Sequence, residues 1–415
     1  SATAGEDVVI TPRATDATTP LLTIDATQLD AGTGAAMETL TLTGTSVTVT
    51  KLNVTGGGGN DSLYGGQKND TIEGGVGIDS INGNEGADSL SGGAGNDIFL
   101  VDALSDHYTA ALGSDTIQGG AGTDTITWTG AITAPAVSLA TIYDTESWTF
   151  ANDSSITLSD AVVANNPNLN IAIAGNGTIT TGESATGTSL MSSALTISST
   201  SAGNLNLITS SGDDTFKFYA TENLTAEDSI DGNAGSDTIQ ITNDDNKDTT
   251  GDATTAAFGA SVKGIETILI VDGAVDQNAG DVTIHIADGY TDAALTVDGS
   301  ALDNNSITLA NGETLTVSSL DTNVALTIIG GASHDSLTTN AGADNITGGF
   351  GNDTISSGDG KDTIYGGAGI DNIKGQGSVD FIDAGAGNNE ITTGTGNDEI
   401  VTTTGNDIII AGAGA

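Results

Sequence analysis

An aspartate recurs every nine residues through long stretches of this chain, with glycines before it and an apolar residue two positions after it. Counted from Gly56, the aspartates are Asp61, Asp70, Asp79, Asp88 and Asp97, and their apolar companions are Leu63, Ile72, Ile81, Leu90 and Phe99. The phase continues through a degenerate unit, VDALSDHYT with Asp106 and Tyr108, to AALGSDTIQ and GGAGTDTIT, which carry Asp115 and Asp124. Gly56 to Thr127 therefore reads as eight units. A short second block comprises TSSGDDTFK from Thr209, with Asp214, then NLTAEDSID and GNAGSDTIQ up to Gln240, with Asp228 and Asp237. The third block runs nine units from Gly330 to Ile410, through Asp335, Asp344, Asp353, Asp362, Asp371, Asp380, Asp398 and Asp407. Asn389 replaces one aspartate there, and Ser333 and Ser378 replace fourth-position glycines. A period this regular marks a repeat architecture before any single element is assigned.

The residue types account for the spacing. Three residues around each apolar position, as in Asp-Thr-Ile, suit a very short strand with one inward side chain, and the six before it form a turn. Glycine supplies the positive φ angles that such a turn needs. Two strand-and-turn units make a coil of eighteen residues, so the expected fold is a right-handed parallel β-roll with columns of Leu, Ile and Phe as its core. Asp61, Asp79, Asp97 and Asp115 are expected in a row along one edge, and Asp70, Asp88, Asp106 and Asp124 along the other. At the ~4.8 Å strand spacing, two like charges repel by ~3 kcal/mol at an effective dielectric of ~20, so the roll needs a counter-ion. Carboxylate and carbonyl oxygens on flexible turns suit Ca²⁺ better than Mg²⁺, which demands a tight octahedron and keeps its water.

The unit GGxGxDxUx, with U a large apolar residue, resembles the nonapeptide of the RTX family of secreted bacterial proteins. The resemblance implies that each Ca²⁺ lies between two turns on the same edge, held by sixth-position aspartates and turn carbonyls. Carried over position by position, the implied carboxylate ligands are Asp61, Asp70, Asp79, Asp88, Asp97, Asp115, Asp124, Asp214, Asp237, Asp335, Asp344, Asp353, Asp362, Asp371, Asp380, Asp398 and Asp407. The implied carbonyl ligands are those of Gly57, Gly59, Gly66, Gly75, Gly77, Gly86, Gly93, Gly95, Gly342, Gly349, Gly351, Gly360, Gly367, Gly369, Gly387 and Gly396. At Asp106 and Asp228 a calcium site and a metal-free spacer coil both stay open, and Asn389 reads as a spacer.

Between the blocks the sequence changes to alternating Thr, Val, Ile, Leu and Ser, as in ETLTLTGTSVTVTKLNV from Glu38 and ALTISSTSAGNLNLI from Ala194. Alternation of β-branched residues predicts strands with one wet face. These segments repeat as well. LTIDATQLDA from Leu22 matches LTVDGSALDN from Leu295, ETLTLTG from Glu38 matches ETLTVSS from Glu313, and KLNVTGGGGND from Lys51 matches ALTIIGGASHD from Ala325, at offsets of 273, 275 and 274 residues. NLNLITSSGDD from Asn204 is a weaker copy. Three modules are expected, 1–127, 128–240 and 241–415. They divide into a β segment at 1–55, the eight-unit roll at 56–127, a β segment at 128–208, the short block at 209–240, a β segment at 241–329 and the nine-unit roll at 330–415. The fold class is all-β: an elongated parallel β-roll or β-helix solenoid in which calcium coils are interleaved with wider, metal-free Thr-rich coils.

Composition narrows the function. The chain carries 55 Asp and Glu against 8 Lys and Arg, and its formal net charge of −47 repels nucleic acid and anionic lipid and selects cations as partners. With 59 glycines and 36% apolar residues it straddles the border between ordered and disordered chains, so order has to come from the repeat. The absence of cysteine excludes disulfides, thiol catalysis and thiolate metal sites. No apolar run reaches the ~20 residues that cross a bilayer, and Ser1 opens no signal peptide, so a processed piece or another export route is expected.

Catalytic motifs are absent from the sequence. None of His107, His285 and His334 has a second histidine four residues away, which removes HExxH, and no GxSxG stands anywhere. His285 is expected as a structural strand residue and His334 as an exposed bystander. The acidic runs NDDNKD from Asn243 and DQNAGD from Asp276 read as solvated turns or extra calcium loops. Trp128, Trp148, Phe150, Tyr143 and Phe258 are expected in core or inter-module packing.

Lacking catalytic apparatus, the chain is similar to RTX-type bacterial surface-layer proteins. That resemblance implies type I secretion, an extracellular cell-surface location, and calcium-mediated assembly of copies of the chain into a lattice on an outer-membrane glycan anchor. Neither nucleic acid nor membrane insertion is expected. Two other classes stay open: an RTX adhesin or ice-binding module using a threonine face such as TLTLTGTSVTVT from Thr39, and the calcium-binding tail of a larger secreted enzyme.

Overall fold

The computed structural model describes residues 8–11, 21–27, 39–43, 51–101, 115–129, 139, 141–150, 154–158, 162, 165–166, 169–173, 177–181, 196–199, 205–209, 212–219, 224, 228–243, 254–258, 261–272, 282–287, 294–302, 314–320 and 324–414. The chain forms two compact units, Ser1–Ile197 and Ser198–Ala415. Strands dominate both; the only helical residues among those described are Val162 and Asn165. No helix among the described residues is long and apolar enough to cross a membrane.

All pairings between the described strands are parallel, as a chain that advances by one strand spacing per coil requires. In the first unit one sheet runs through Val8–Ile10, Leu40–Thr43, Ser62–Tyr64, Ser80–Asn82, Ile98–Val101, Thr125–Trp128, Ser147–Phe150 and Asn170–Ile173. A second runs through Leu21–Asp25, Lys51–Gly58, Thr71–Val76, Ser89–Ala94, Thr116–Ala121 and Ile142–Tyr143. The second unit repeats the plan. Its nonapeptide strands alternate between a sheet containing Asn345–Phe350, Thr363–Ala368, Phe381–Asp383 and Glu399–Val401 and one containing Ser336–Thr338, Thr354–Ser356, Asn372–Lys374, Glu390–Thr392 and Ile408–Ile410.

Within the rolls the register is eighteen residues, as in Leu63↔Ile81 and Ile72↔Leu90. Successive strands alternate between the sheets, so each nonapeptide delivers one apolar side chain to the interior. Leu63, Ile81, Phe99 and Ile126 from one side, and Ile72, Leu90 and Ile117 from the other, are buried. At about 1.5–3 kcal/mol for each fully buried aliphatic side chain, these columns are the main cohesive contribution of the roll. Thr-rich segments stack on the rolls with longer coils: Val54 sits over Ile24, thirty residues back, and Leu326 over Leu295, thirty-one back. The internal repeat is visible in local geometry. Asp25 and Asp298 each end a strand and accept the N–H of the residue two later, Thr27 and Ser300, at 3.0 and 2.9 Å.

One expectation about the rows fails. Ser89 pairs with Thr116 and Ile98 with Thr125, each a step of twenty-seven residues. Asp124 therefore follows Asp97 and Asp115 follows Asp88, the reverse of a strict eighteen-residue count. The cause is in the sequence. Between the paired strands the chain is one nonapeptide longer than elsewhere, and VDALSDHYT in that stretch has no glycine. Residues 102–114, including Asp106, His107 and Tyr108, lie outside the described residues, as do 244–253 and 273–281 with most of both acidic runs.

The aromatic residues behave largely as expected. Trp128 stacks on Phe150 with ring centroids 4.3 Å apart and meets Trp148 edge-on at 5.4 Å, while Trp148 Nε1 donates to Thr145 Oγ1 at 2.7 Å. Phe258 is also buried, and Tyr143 is half-buried.

Candidate metal centre

Each sixth-position aspartate does two things with its two oxygens. Oδ1 accepts a backbone N–H from one coil earlier, that of a leucine where a roll begins, as Leu40 to Asp61 and Leu52 to Asp70, and that of the preceding sixth-position residue within it. Asp61 N–H donates to Asp79 at 2.8 Å, Asp79 to Asp97 at 2.9 Å and Asp97 to Asp124 at 2.8 Å. On the opposite edge Asp70 donates to Asp88 and Asp88 to Asp115, at 2.6 and 2.7 Å. The second unit carries Asp214 to Asp237 at 2.7 Å, Asp335 to Asp353 and Asp353 to Asp371, both at 2.9 Å, and Asp344 to Asp362 to Asp380 to Asp398 at 3.0–3.1 Å. Asp228 accepts from Leu205 N at 2.8 Å, so it too holds a ladder position.

The other oxygen differs between positions: Asp70 and Asp335 turn Oδ2 to the N–H of Gly66 and Gly331, at 2.6 and 2.8 Å. Oδ2 of Asp61, Asp79, Asp97, Asp124, Asp237, Asp353, Asp371 and Asp380 is buried without any hydrogen-bond partner. A charged oxygen is not left so in a folded protein unless something else meets it. Where the first position is glycine, a side chain has no room there, while Thr339 and Ser357 hold that position before Asp344 and Asp362 and donate to the next first-position carbonyl. A Cβ on Gly56 would lie 2.1 Å from Asp61 Oδ2 and 2.5 Å from the Gly74 carbonyl oxygen, and one on Gly74 would meet Asp79 Oδ2 at 2.3 Å and Gly92 O at 2.6 Å. The same cradle recurs at Gly348 with Asp353 and at Gly366 with Asp371.

Burial is the main force on these groups. It pushes Asp61, Asp79, Asp97, Asp124, Asp362 and Asp380 up to about 6 and Asp237 and Asp353 to about 7, with neighbouring carboxylates adding to the rise at all of these but Asp61. Asp70, Asp344 and Asp371 are raised for the same first reason. Backbone donors oppose the shift throughout. Such carboxylates ask for a proton or a metal ion.

Among the described residues no three His, Asp or Glu side chains converge as a metal cluster. Any ion here must take much of its coordination from backbone carbonyls, which suits a hard cation with many oxygen ligands. An orphaned carboxylate oxygen, an adjacent carbonyl and a cradle that a methyl group would fill together fit Ca²⁺. The residues that would hold it are the sixth-position aspartates and turn carbonyls; the ion would supply the positive charge that lets successive carboxylates stack.

Asn389 shows what that position needs. Its Oδ1 accepts the Asp371 N–H at 2.9 Å, as an aspartate would, while Nδ2 donates to Ala384 O at 3.0 Å. Where the carboxylate is missing, an N–H stands between the side chain and the first-position carbonyl. An aspartate has no such hydrogen.

The second- and fourth-position carbonyls are placed differently. Gly57 O and Gly59 O lie under Gly75 and Gly77, Gly75 O and Gly77 O under Gly93 and Gly95, and those two under the next coil, each about where a Cβ would sit. Gly349, Gly351, Gly367 and Gly369 follow the same plan, as do the fourth-position carbonyls of Gly342, Gly387 and Gly396 under Gly360, Gly405 and Gly414. Gly66 O accepts the Glu85 N–H at 3.1 Å, and Gly86 and Gly360 have left-handed φ. Asp398 and Asp407 stand in line but are only half-buried.

A model of the RTX calcium-binding nonapeptide repeat matches residues 55–83, 64–99, 73–108, 101–127, 225–240, 327–355, 356–391 and 392–415. The chain carries RTX calcium-binding nonapeptide repeats. Such repeats bind Ca²⁺, and several copies imply several ions. RTX repeat proteins are typically secreted and extracellular. The RTX segments leave the Thr-rich segments unmatched, along with the unit around Asp214, although Asp214 stands in the carboxylate ladder. No curated protein matches the chain.

Three features escaped the sequence reading. First-position carbonyls, rather than only those of the second and fourth positions, lie beside Oδ2. A second ladder runs through the fifth position, where Asn60, Asn69, Asn96 and Asn352 accept the N–H of Ile78, Ala87, Thr123 and Ile370. His334 is part of it, since its Nδ1 accepts the Asn352 N–H at 2.6 Å, so it is exposed but not a bystander. The recurring Asn-Asp pair was the available signal. Lastly, Glu146 and Glu266 take ladder positions beyond the nonapeptides. His285, by contrast, only meets Ser318 Oγ on its strand face.

Proposed function

We propose that this is a secreted, non-catalytic structural protein that folds when it meets calcium and then assembles with copies of itself into a surface layer. The observation that carries this reading is the file of buried aspartates whose second oxygens lack partners. In low calcium these carboxylates oppose closure of the coils, and millimolar calcium outside the cell removes the opposition. Folding is thereby confined to the compartment where the protein works. Exposed carboxylates on a chain of net charge −47 then offer ions to neighbouring copies, and an outer-membrane glycan is the anchor this reading expects.

Electron microscopy of the purified chain with Ca²⁺ and with chelator tests this. Ordered sheets that form only with calcium are the expected result. Particles that stay dispersed in both conditions would remove the lattice reading, and dispersed particles that bind cells, glycans or ice in calcium would replace it with an adhesin.

A further inference from the structure

We propose that the first roll and the short block each end in an additional calcium site, closed by a glutamate from the first coil beyond the nonapeptide pattern: Glu146 over Asp124, and Glu266 over Asp237. Neither coil matches the RTX repeat, and TIYDTESWTF from Thr141 shares little sequence with SVKGIETILI from Ser261. Their structures nevertheless coincide. Each has a two-residue strand, Ile142–Tyr143 or Val262–Lys263, then a left-handed residue, Asp144 (φ 50) or Gly264 (φ 62), then the glutamate two residues on, then a strand, Ser147–Phe150 or Thr267–Asp272.

The hydrogen bonds coincide too. Asp124 N–H donates to Glu146 Oε2 at 2.7 Å and Asp237 N–H donates to Glu266 Oε2 at 2.7 Å, the position that the next aspartate's Oδ1 takes within a roll. In return, the N–H groups of Glu146 and Ser147 point to Asp124 O at 3.1 and 3.0 Å, and those of Glu266 and Thr267 to Asp237 O, both at 3.1 Å. Asp124 and Asp237 are fully buried, and their Oδ2 atoms have no partner. Both point into a glycine cradle of the kind seen inside the rolls. A Cβ on Gly119 would stand 1.8 Å from Asp144 O and 2.6 Å from Asp124 Oδ2; one on Gly232 would stand 2.1 Å from Gly264 O and 2.5 Å from Asp237 Oδ2. Asp144 and Gly264 thus supply the carbonyl that a first-position glycine supplies elsewhere.

The difference lies in the length of the turn. From Gly74 to Asp79 the acid comes five residues after the carbonyl; here it comes two after. The shorter turn has no second and fourth glycine, so their carbonyls are lost. Glutamate can offset part of that loss: Oε2 serves the ladder and Oε1 remains as a hard oxygen ligand for Ca²⁺. Lys263, the nearest cation at the second site, is engaged with Asp231 at 2.5 Å.

The test uses the full chain and the variants E146Q and E266Q. Glutamine keeps an acceptor for the ladder N–H and removes the charge, so a purely structural role would leave ion binding intact. Calorimetric titration with Ca²⁺ is expected to show one ion fewer in each variant. A second readout exploits the chain's two tryptophans, Trp128 and Trp148, which adjoin only the first site. With terbium(III) as probe, tryptophan-excited emission is expected in the unaltered chain, reduced in E146Q and unchanged in E266Q. Unchanged stoichiometry in both variants, or no tryptophan-excited terbium emission from the unaltered chain, would overturn the proposal. Should E146Q fail to fold, the unaltered chain's emission and the E266Q ion count still decide it.

Discussion

At the scale of single residues, the roll rests on a divided carboxylate: one oxygen belongs to the backbone ladder, and at positions such as Asp79 and Asp353 the other is buried without a partner. Asn389 is the natural control, because its amide satisfies both places without metal. Asp353→Asn should copy it. We expect one bound Ca²⁺ fewer by calorimetry and a calcium-free fold that is more stable by about 1–3 kcal/mol in urea unfolding, the usual cost of a buried unsatisfied group. The same carboxylates set a pH dependence. Their folded values of about 6 to about 7 stand above the ordinary 3.8, so between those limits the folded metal-free chain holds protons that the unfolded chain has released. Stability without calcium must therefore fall as pH rises from about 4 to about 7 and level off above. Thermal melts in chelator across that range check the sign, and a rise in melting temperature toward neutrality would contradict it.

The element that matters is the turn between strands. Gly75 has φ 118, and a Cβ there would lie 2.1 Å from Gly57 O, so Gly75→Ala combines a forbidden backbone with a clash against the coil below. A loss of at least about 2 kcal/mol is expected, with a higher calcium concentration needed to recover the β signal in circular dichroism. Most of this element was legible in the sequence: the nine-residue period fixes which side chain points inward, which carboxylates stack from coil to coil, and why glycine recurs. The order of rows after Asp97 was not, because VDALSDHYT keeps the nine-residue count while the strands on either side pair across twenty-seven residues. Nor were Glu146 and Glu266 legible as ladder members, since a turn shortened by three residues breaks the spacing on which the reading depends. The trace that survives is an acid followed by Ser or Thr and an inward apolar residue, Glu-Ser-Trp and Glu-Thr-Ile, echoing Asp-Thr-Ile.

For the whole molecule, the decisive quantity is a net charge of −47 borne by a chain whose core is a set of narrow apolar columns. Each site occupied at a hundred times its dissociation constant adds about 2.7 kcal/mol to the folded state, so several sites together outweigh anything a single core substitution changes. Exhaustive chelation at neutral pH should abolish the β signal, and the melting temperature should climb with calcium concentration. A β signal indifferent to chelator would show that the columns suffice alone. Alternating threonine announced the strands of the wider coils, and their internal repeat was plain. Their lengths were hidden, because a long coil's excess residues leave no periodic mark.

The carboxylate ladder also gives each roll a direction. Every N–H in it looks forward to an oxygen on the coil that follows, never back to the one before. Shortening a roll from its leading side leaves an Oδ1 without its donor, whereas shortening it from its trailing side leaves an N–H without its acceptor. The two ends of a roll are thus chemically unequal, like the two ends of a zip: one presents oxygens and the other N–H groups.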